Sequence, residues 1–324
     1  MIERLKLYES DGVDPYRNLA IEQHLLETVE GGCCLLYLWQ NQSTVVIGRN
    51  QNAWAECRTS LLKDEGGHLA RRLSGGGAVF HDLGNLNFTF LMRSGDYDLC
   101  RQQTVIQTAC RSLGIETEIS GRNDLLADGR KFSGNAFYHH EGKSYHHGTL
   151  LVDVDTDRMT RYLSPSKAKL QAKGVESVRS RVVNLKELNP AITVNALKEA
   201  LKTAFSKVYG LPAEPLSAID EPRVQSLTEH YASDGWLFGT KLKCTFRCES
   251  RFPWGGVELQ LMVESGTVTD AAVFTDDMDA ALATKLTDAL VGCPFSLDAL
   301  CARIEERTLP HARDLIQMLT EQEI

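Results

Sequence analysis

Three consecutive glycines, Gly75–Gly77, interrupt a strand-like stretch and constrain the fold more than any other feature of this chain. They follow Arg71 and Arg72 and lie between the strand candidates His68–Leu73 and Ala78–His81. Glycines let a backbone approach a ligand closely and turn several N–H groups in one direction, and arginines bind carboxylates and phosphates. We interpret the segment as an anion-binding turn between two strands, with a plain flexible turn as the alternative. It is not a P-loop, because the required order of glycine, lysine and hydroxyl residue is missing.

Helix and strand signals mix along the first two thirds of the chain. Asp14 followed by Pro15 predicts a helix start, and a second helix is predicted from Thr193 to its end at Gly210. Strands that run into strands, with helices interspersed, favour an α+β domain over a parallel βαβ sheet. The other strands and the hairpin turns predicted here are Cys34–Trp39, Thr44–Ile47, Leu86–Leu91, Asp128-Gly129 and Glu141-Gly142.

A proline-containing stretch of weak periodicity, 211–239, predicts a junction between two units. Beyond it, a hairpin around Ser265-Gly266 and three helices predict a second, smaller unit. A length of 324 residues allows about two domains at roughly 100–200 residues each. We therefore predict domains at 1–240 and 245–324.

Composition narrows the class of protein. A net charge of −8 argues against a general nucleic-acid or membrane surface, and no apolar run approaches the roughly 20 residues of a spanning helix. The nine cysteines form no C-x-x-C pair, so free thiols are expected and a metal site at Cys244 and Cys248 is the alternative. We expect a cytosolic enzyme.

Lys131 and Asp124 lie in a Gly- and Arg-rich part of the chain. Lys131 lies among small, strand-like residues, where its charge can neutralise a phosphate and a developing carboxylate–phosphate bond. Asp124 is a candidate ligand for a magnesium ion that carries the ATP phosphates. Taken singly, a solvated strand lysine and a turn aspartate are the alternatives.

A basic stretch between Ser164 and Lys186 contains six cations and a single acid, Glu176. Six positive charges in one loop of an acidic chain suit a polyphosphate clamp, although a solvated face is the alternative. The six are Lys167, Lys169, Lys173, Arg179, Arg181 and Lys186.

Two histidine pairs, His139-His140 and His146-His147, flank a predicted hairpin turn. Adjacent side chains on a strand point to opposite faces, so neither pair can act as one zinc site. We expect one inward-pointing histidine as a pocket residue, with a bound metal as the alternative.

Together these segments resemble lipoate–protein ligase A, within the biotin and lipoate ligase superfamily. The resemblance implies an α+β fold with a large mixed-sheet catalytic domain of biotin/lipoate-ligase type and a small α+β C-terminal domain. The segments that carry it are Arg71–Asp82, Gly121–Asp124, Lys131–Ala136, His146–Leu151, 173–185 and Trp254–Glu258.

The resemblance implies a reaction in two steps. The lipoate carboxylate attacks the α-phosphate of ATP and gives lipoyl-adenylate, and a lysine of an acceptor protein then takes the lipoyl group and releases AMP. ATP and Mg²⁺ are implied as substrate and activator, with no tightly bound cofactor. The implied acceptors are lipoyl domains of 2-oxoacid dehydrogenase acyltransferase subunits and the glycine-cleavage carrier protein, and a cytoplasmic monomer is expected.

Site residues follow from the same resemblance. Lys131 is the implied catalytic residue, and Asp124 the implied magnesium ligand. The implied ATP-binding residues are Arg72, Gly77, Ala78, Val79, Phe80, Lys131, Lys173, Arg179 and Arg181. The implied lipoate-binding residues are Leu19, Trp39, Arg71, Ser74, Gly75, Gly76, His81, Lys131 and His147.

Other functions remain open at this level. A lipoyl or octanoyl transferase that uses a preformed acyl-adenylate or another acyl donor would share the fold. A binding paralogue without turnover is a further alternative. A biotin ligase is disfavoured because its Gly-Arg-Gly-rich loop is absent.

Overall fold

The computed structural model describes residues 1–121, 124–164, 181–239 and 242–322. The strands are β1 (Arg4–Glu9), β2 (Cys33–Trp39), β3 (Thr44–Ile47), β4 (His68–Arg71), β5 (Val79–His81), β6 (Asn85–Arg93), β7 (Glu118–Ser120), β8 (Asp124–Ala127), β9 (Arg130–His140), β10 (Lys143–Leu151), β11 (Ala213–Pro215), β12 (Phe246–Phe252), β13 (Gly255–Glu264) and β14 (Thr267–Thr275). The helices are α1 (Pro15–Thr28), α2 (Ala53–Glu56), α3 (Thr59–Asp64), α4 (Leu99–Ser112), α5 (Thr156–Tyr162), α6 (Leu185–Leu188), α7 (Val194–Tyr209), α8 (Glu221–Ala232), α9 (Asp234–Phe238), α10 (Leu282–Leu290), α11 (Leu297–Glu306) and α12 (Ala312–Thr320), with a 3₁₀ turn at Ser94–Asp96.

A mixed eight-stranded sheet forms the centre of the larger unit, in the order β11-β1-β2-β6-β10-β9-β8-β7. The expected large mixed sheet of an α+β fold is confirmed. Strands β11, β1 and β2 are parallel, and β6, β10 and β9 continue the sheet antiparallel. The parallel crossover β1-α1-β2 was not predicted, because the sequence analysis did not identify β1.

Successive side chains of β2 point to opposite faces of the large sheet, and each face has its own hydrophobic core. Leu36 and its alternate neighbours face one core with α4 and α7, whereas Tyr37 and Trp39 face the other core with α1 and α8. The sheet is therefore covered on both faces. The functional groups described below lie on the Trp39 face.

The stretch 211–239 is part of the larger unit, so its interpretation as a junction is wrong. Strand β11 pairs with β1, and α8 packs on α1 through Val224 and Leu227. Prolines in this stretch suggested a linker, but two of them occupy positions in regular structure that tolerate proline. Pro215 ends a strand at the sheet edge, and Pro222 lies in the first turn of α8, where a backbone N–H is not needed.

A smaller sheet, β4-β3-β5, holds the three glycines in the connection between β4 and β5. Gly76 adopts a left-handed φ of 86°, a conformation that glycine reaches without strain. A Cβ atom at Gly48 would lie 2.2 Å from the Gly76 carbonyl oxygen. Only backbone without side chains can approach this closely, so both glycines are required for the shape of the turn.

The C-terminal unit is an antiparallel sheet, β12-β13-β14, packed against α10, α11 and α12 around its own core. It also contacts the glycine turn: Gly76 N–H donates to the Asp277 carbonyl oxygen at 2.9 Å. A Cβ atom at Gly75 would lie 2.2 Å from the same oxygen. Position 75 therefore has no room for a side chain, because the C-terminal unit packs against it. The domain limits 1–240 and 245–324 stay a prediction.

Candidate active site

A cavity of about 200 Å³ lies between the glycine turn and the Trp39 face of the large sheet. Its walls come from elements far apart in sequence, among them α1, β2, β5, β6, β9 and β10. The predicted site residues that line it are Leu19, Trp39, Arg72, Gly76, Gly77, Ala78, Val79, Phe80, His81, Lys131, His147 and Arg181. Lys173 and Arg179 lie outside the described residues.

Lys131 is the second residue of β9 and lies next to an irregularity in the pairing of β8 and β9. Its side chain is only 18% exposed and its Nζ lies 2.7 Å from Asp124 Oδ1. The side chain crosses Gly134, where a Cβ atom would lie 2.7 Å from Nζ and 2.9 Å from Cε. The spacing Lys131-x-x-Gly134 therefore has a steric reason, because the glycine provides the space that the lysine occupies.

Charge and burial act against each other at this pair. Burial lowers the pKa of Lys131 below its ordinary 10.5, and the attraction of Asp124 offsets only part of this shift, while Arg181 and Arg72 add to it. Burial alone would raise the pKa of Asp124. The combined attraction of Lys131 and Arg181 outweighs burial, so the pKa of Asp124 lies below its ordinary 3.8. The ion pair is the form favoured at neutral pH.

The structure pairs Asp124 with two cations, and its part as a magnesium ligand stays a prediction. One carboxylate oxygen pairs with Lys131 and the other with Arg181. A magnesium ion needs free oxygen ligands, and both of these oxygens already interact with cations. Across the described ranges, no group of three or more His, Cys, Asp or Glu side chains could hold a metal ion. A magnesium ion that arrives with ATP needs only one or two carboxylates besides the phosphates, so Asp124 stays its predicted ligand.

Arg72 is buried on the cavity wall without an acidic partner among the residues that the structure describes. Its guanidinium donates to the carbonyl oxygens of Gly75 at 2.6 Å and Gly77 at 2.9 Å, and to Ser74 Oγ at 3.0 Å. Burial lowers its pKa to about 10, so it stays charged at neutral pH. Arg72 therefore stabilises the glycine turn and makes the potential of the cavity more positive.

Arg71, Ser74 and Gly75 do not line the cavity, in contrast to the predicted contact with lipoate. Arg71 is the last residue of β4 and Arg72 directly follows it, and the two side chains point in different directions, so Arg71 points away from the site that Arg72 faces. Its donors are taken by the backbone carbonyl oxygens of Gly48, Arg49, Gln51, Trp236 and Leu237. Arg71 thus links the backbone of the β3–α2 connection to the backbone of α9.

A buried hydrogen-bond chain supports one wall of the cavity. His147 contacts Glu22 Oε1 through Nδ1 at 2.8 Å and Ser74 Oγ through Nε2 at 2.8 Å. Thr89 Oγ1 donates to the same Glu22 oxygen at 2.7 Å. The chain links α1 to the residue before the glycine turn, so Ser74 acts in positioning. Sequence analysis missed Glu22, although an acid three positions after Leu19 in an apolar helix stripe is a usable signal.

The other histidines confirm the alternation argument for the two pairs. His146 faces the opposite core, where its ring nitrogens contact Gln102 at 2.9 Å and Asn135 at 2.8 Å. Burial lowers its pKa to about 3. His139 contacts a serine outside the cavity and His140 is exposed. One histidine of the four, His147, lines the cavity.

The end of the cavity remote from Lys131 is built around Trp39. The His81 ring meets it edge-on, with centroids 6.1 Å apart, and Trp39 Nε1 donates to Thr89 Oγ1 at 3.1 Å. Burial, then the nearby Arg72 charge and His147, lower the pKa of His81 to about 3. The two rings at this end, Trp39 and His81, are therefore neutral at neutral pH.

Several lining residues were not predicted. Asn87 and Thr149 are opposite each other on β6 and β10, and Met159 comes from α5. Asn87 and Met159 carry no sequence motif, because their place in the site depends on strand pairing and helix packing, whereas Thr149 lies in the segment His146–Leu151 without having been singled out.

The comparisons with known proteins agree with this geometry. A family profile described as "Lipoyl protein ligase A/B catalytic domain" matches residues 14–206. A second, "Bacterial lipoate protein ligase C-terminus", matches residues 241–321.

Three solved structures are similar to the chain at 26% identity each. P. falciparum LipL1 in complex with lipoate has a TM-score of 0.86, with 98% of this chain and 100% of that chain covered. A lipoate-protein ligase A bound with ATP has a TM-score of 0.61, with 74% and 99% covered. A bi-partite lipoate protein ligase with its E2 lipoyl domain, from Thermoplasma acidophilum, has a TM-score of 0.63, with 76% and 100% covered.

Proposed function

Because the chain belongs to the lipoyl protein ligase A/B family, we propose that it activates lipoate with ATP and transfers the lipoyl group to a lysine of an acceptor protein. The observation that carries the proposal is a single cavity with a cationic end at Lys131 and an apolar end at Trp39. Such a cavity suits an acid with a long apolar tail. Relatives described as bound to lipoate and to ATP support both substrates.

In the first step, a lipoate carboxylate oxygen forms a bond to the α-phosphorus of ATP. The bond from that phosphorus to the bridging oxygen of the β-phosphate breaks, and pyrophosphate leaves. Two anions must approach each other, so the reaction needs fixed positive charge at the point of attack. Lys131 supplies it, with Arg181 and the buried Arg72 beside it.

In the resting site, Asp124 takes the place of an anion by pairing with both Lys131 and Arg181. A bound carboxylate or phosphate competes with Asp124 for these two cations. Magnesium enters with ATP as part of the substrate, with Asp124 as its predicted ligand. The backbone from Gly77 to Phe80 is our proposed cradle for the nucleotide, and Lys173 and Arg179 remain predicted contacts to it.

The tail of lipoate lies in the apolar end, against Leu19, Trp39 and His81. His147 contributes a wall that Glu22 holds in place. Burial of the tail in this pocket supplies binding energy and keeps water from the acyl-adenylate, which would otherwise hydrolyse.

In the second step, the acceptor lysine amine forms an amide with the acyl carbon, and AMP leaves. The T. acidophilum relative is described with an E2 lipoyl domain, and we extend this class of acceptor to the present chain. We expect lipoyl domains of 2-oxoacid dehydrogenase acyltransferase subunits and the glycine-cleavage carrier protein. We also propose a cytoplasmic location, since the nine free cysteines suit a reducing compartment, and a monomeric state. None of the helices in the described ranges could cross a membrane.

The test is pyrophosphate release from ATP and magnesium by the purified chain, with and without lipoate and before any acceptor is added. Release that depends on lipoate supports the ligase. No release, together with transfer from synthetic lipoyl-adenylate to a lipoyl domain, would contradict the activation step and indicate a transferase.

A further inference from the structure

Thr149 places a hydroxyl group on the cavity wall beside Lys131. It lies on β10 between His147 and Leu151, and these three alternate residues all line the cavity, because every second side chain of a strand faces the same side. Its Oγ1 atom accepts a hydrogen bond from the Gly134 N–H group at 3.2 Å. This contact holds the hydroxyl at the point where the Lys131 side chain passes Gly134.

The hydroxyl proton of Thr149 has no acceptor among the residues that the structure describes. A threonine hydroxyl has one proton to donate and two lone pairs that accept, and the hydrogen bond from Gly134 occupies a lone pair only. A polar group in a largely buried position is stabilised by a partner. Thr149 therefore offers a hydrogen-bond donor to a ligand in the cavity.

The order of the strands places this donor on the tail side of Lys131. Trp39 pairs with Asn87, and Asn87 with Thr149, on three adjacent strands. The next strand carries Gly134, beside which the Lys131 ammonium group lies. An acid whose tail lies at Trp39 therefore brings its carboxyl group past Thr149 before it reaches Lys131.

A carboxyl group bound here has two oxygen atoms with different fates. A Cβ atom built at Gly134 would lie 2.7 Å from Lys131 Nζ and 3.8 Å from Thr149 Oγ1, so one carboxyl group can contact both side chains. One oxygen attacks the α-phosphorus of ATP beside the lysine and becomes the bridge to AMP. The other oxygen becomes the acyl carbonyl oxygen, on the tail side, where the Thr149 hydroxyl lies.

We propose that the Thr149 hydroxyl donates a hydrogen bond to the acyl carbonyl oxygen and stabilises the negative charge that this oxygen carries in the transfer step. The proposal rests on the proposed function. When the acceptor amine bonds to the acyl carbon, one electron pair of the carbonyl double bond moves to the oxygen and makes it an oxyanion. The carbonyl then forms again, and the bond from the acyl carbon to the bridging oxygen breaks. AMP leaves with that electron pair, and the amine gives its proton to solvent.

The two steps of the reaction respond differently to loss of this donor. In the activation step, the oxygen begins as part of a carboxylate and loses negative charge, so the donor brings no advantage to the transition state. In the transfer step, the oxygen gains negative charge, and a donor already in place stabilises the transition state. Removal of one such donor typically slows a reaction by about 10²-fold or more.

The experiment measures the two steps separately in single turnovers of the full chain. The first is pyrophosphate release from ATP and lipoate, and the second is transfer from synthetic lipoyl-adenylate to a lipoyl domain. Thr149→Val replaces the hydroxyl by a methyl group, and we expect transfer to slow by about 10²-fold and pyrophosphate release by less than about threefold. Thr149→Ser keeps the hydroxyl and is expected to retain most of the transfer rate. Thr104→Val, at an exposed threonine of α4, is the matched control.

Equal losses in both steps, or a native transfer rate in Thr149→Val, overturn the proposal while the ligase function stands. A serine variant as slow as the valine variant overturns it as well. A native chain that releases no pyrophosphate with lipoate contradicts the activation step, and its transfer from lipoyl-adenylate still tests Thr149. Thr149→Ala removes the hydroxyl without a bulkier replacement and tests the same expectation if thermal unfolding shows that the valine variant is not folded.

Discussion

The two ends of the cavity are built on different physical principles. At one end, Lys131 and Arg181 compensate a buried carboxylate, Asp124, and substrate anions can replace it. At the other, Trp39 and His81 are neutral and held by hydrogen bonds to groups outside the cavity. The cationic end is therefore suited to stabilise charge that develops during reaction, and the apolar end to recognise the shape and polarity of the tail.

This difference predicts a separation of kinetic effects. Interactions that are stronger in the transition state than in the ground state change kcat, whereas interactions equal in both change KM. Changes at the cationic end should lower kcat, and changes at the apolar end should raise KM.

Lys131→Ala is expected to have the largest effect. It removes the charge at the point of attack, and we expect lipoate-dependent pyrophosphate release to fall by about 10³-fold or more. Single-turnover assays measure the loss. Lys63→Ala, which changes an exposed lysine on α3, should retain full activity. A Lys131→Ala enzyme with normal kcat and a raised KM would show that the cationic end binds the substrate but does not stabilise the transition state.

Gly134→Ala tests whether the position of the Lys131 charge matters as well as its presence. The new Cβ would lie 2.7 Å from Lys131 Nζ, so the flexible side chain must move while the fold is retained. We expect kcat to fall by about 10²-fold, the cost typical of a displacement of about 1 Å.

The measurements are steady-state kinetics and thermal unfolding. Gly31→Ala is the control, because a Cβ atom there meets nothing within 4 Å. A Gly134→Ala enzyme with unchanged kcat would mean that Lys131 does not act from its observed position.

Leu19→Val removes one methylene from the apolar end. We expect KM for lipoate to rise by about fourfold to tenfold with kcat almost unchanged, because about 0.8 kcal/mol or more of burial is lost in both ground and transition states. Leu25→Val, in the same helix and core but off the cavity wall, controls for stability. A fall in kcat alone would remove the distinction between the two ends.

Asp124→Asn should move the pH dependence of the reaction. Asp124 raises the pKa of Lys131, against the larger lowering by burial. Without that carboxylate, the pKa of Lys131 falls further, and the activity that needs charged Lys131 is lost at a lower pH than in the native enzyme. A pH profile of kcat measures the alkaline limb, and Asp153→Asn at an exposed ion pair is the control. If the alkaline limb of the Asp124→Asn profile lies at the same pH as that of the native enzyme, Lys131 is not the titrating group.

Asp124 also contributes to stability with a defined sign. Its pKa in the folded state lies below the ordinary value of 3.8, so its contribution is present above that value and is lost as the pH falls through the folded pKa. The native protein should therefore lose part of its stability advantage over Asp124→Asn in strong acid.

Sequence by itself determined the local features of this protein. Helix starts at Asp14 and Thr193 were predicted correctly because capping depends on neighbouring residues. The turns at Asp128-Gly129 and Glu141-Gly142 were predicted for the same reason, since the glycine of each turn adopts its positive φ without strain. The glycine turn and the lysine of the site also belong to this class, because short motifs carry them.

Tertiary structure alone decided which residues of those motifs face the cavity. Arg71 and Arg72 are adjacent and chemically alike, yet at the end of β4 one points to backbone carbonyls and the other to the cavity wall. Asp124 became a partner of two cations, and Glu22 became the support of His147, through contacts across long sequence separations. Such contacts depend on strand order and helix packing, and burial then determines the charge that each group carries.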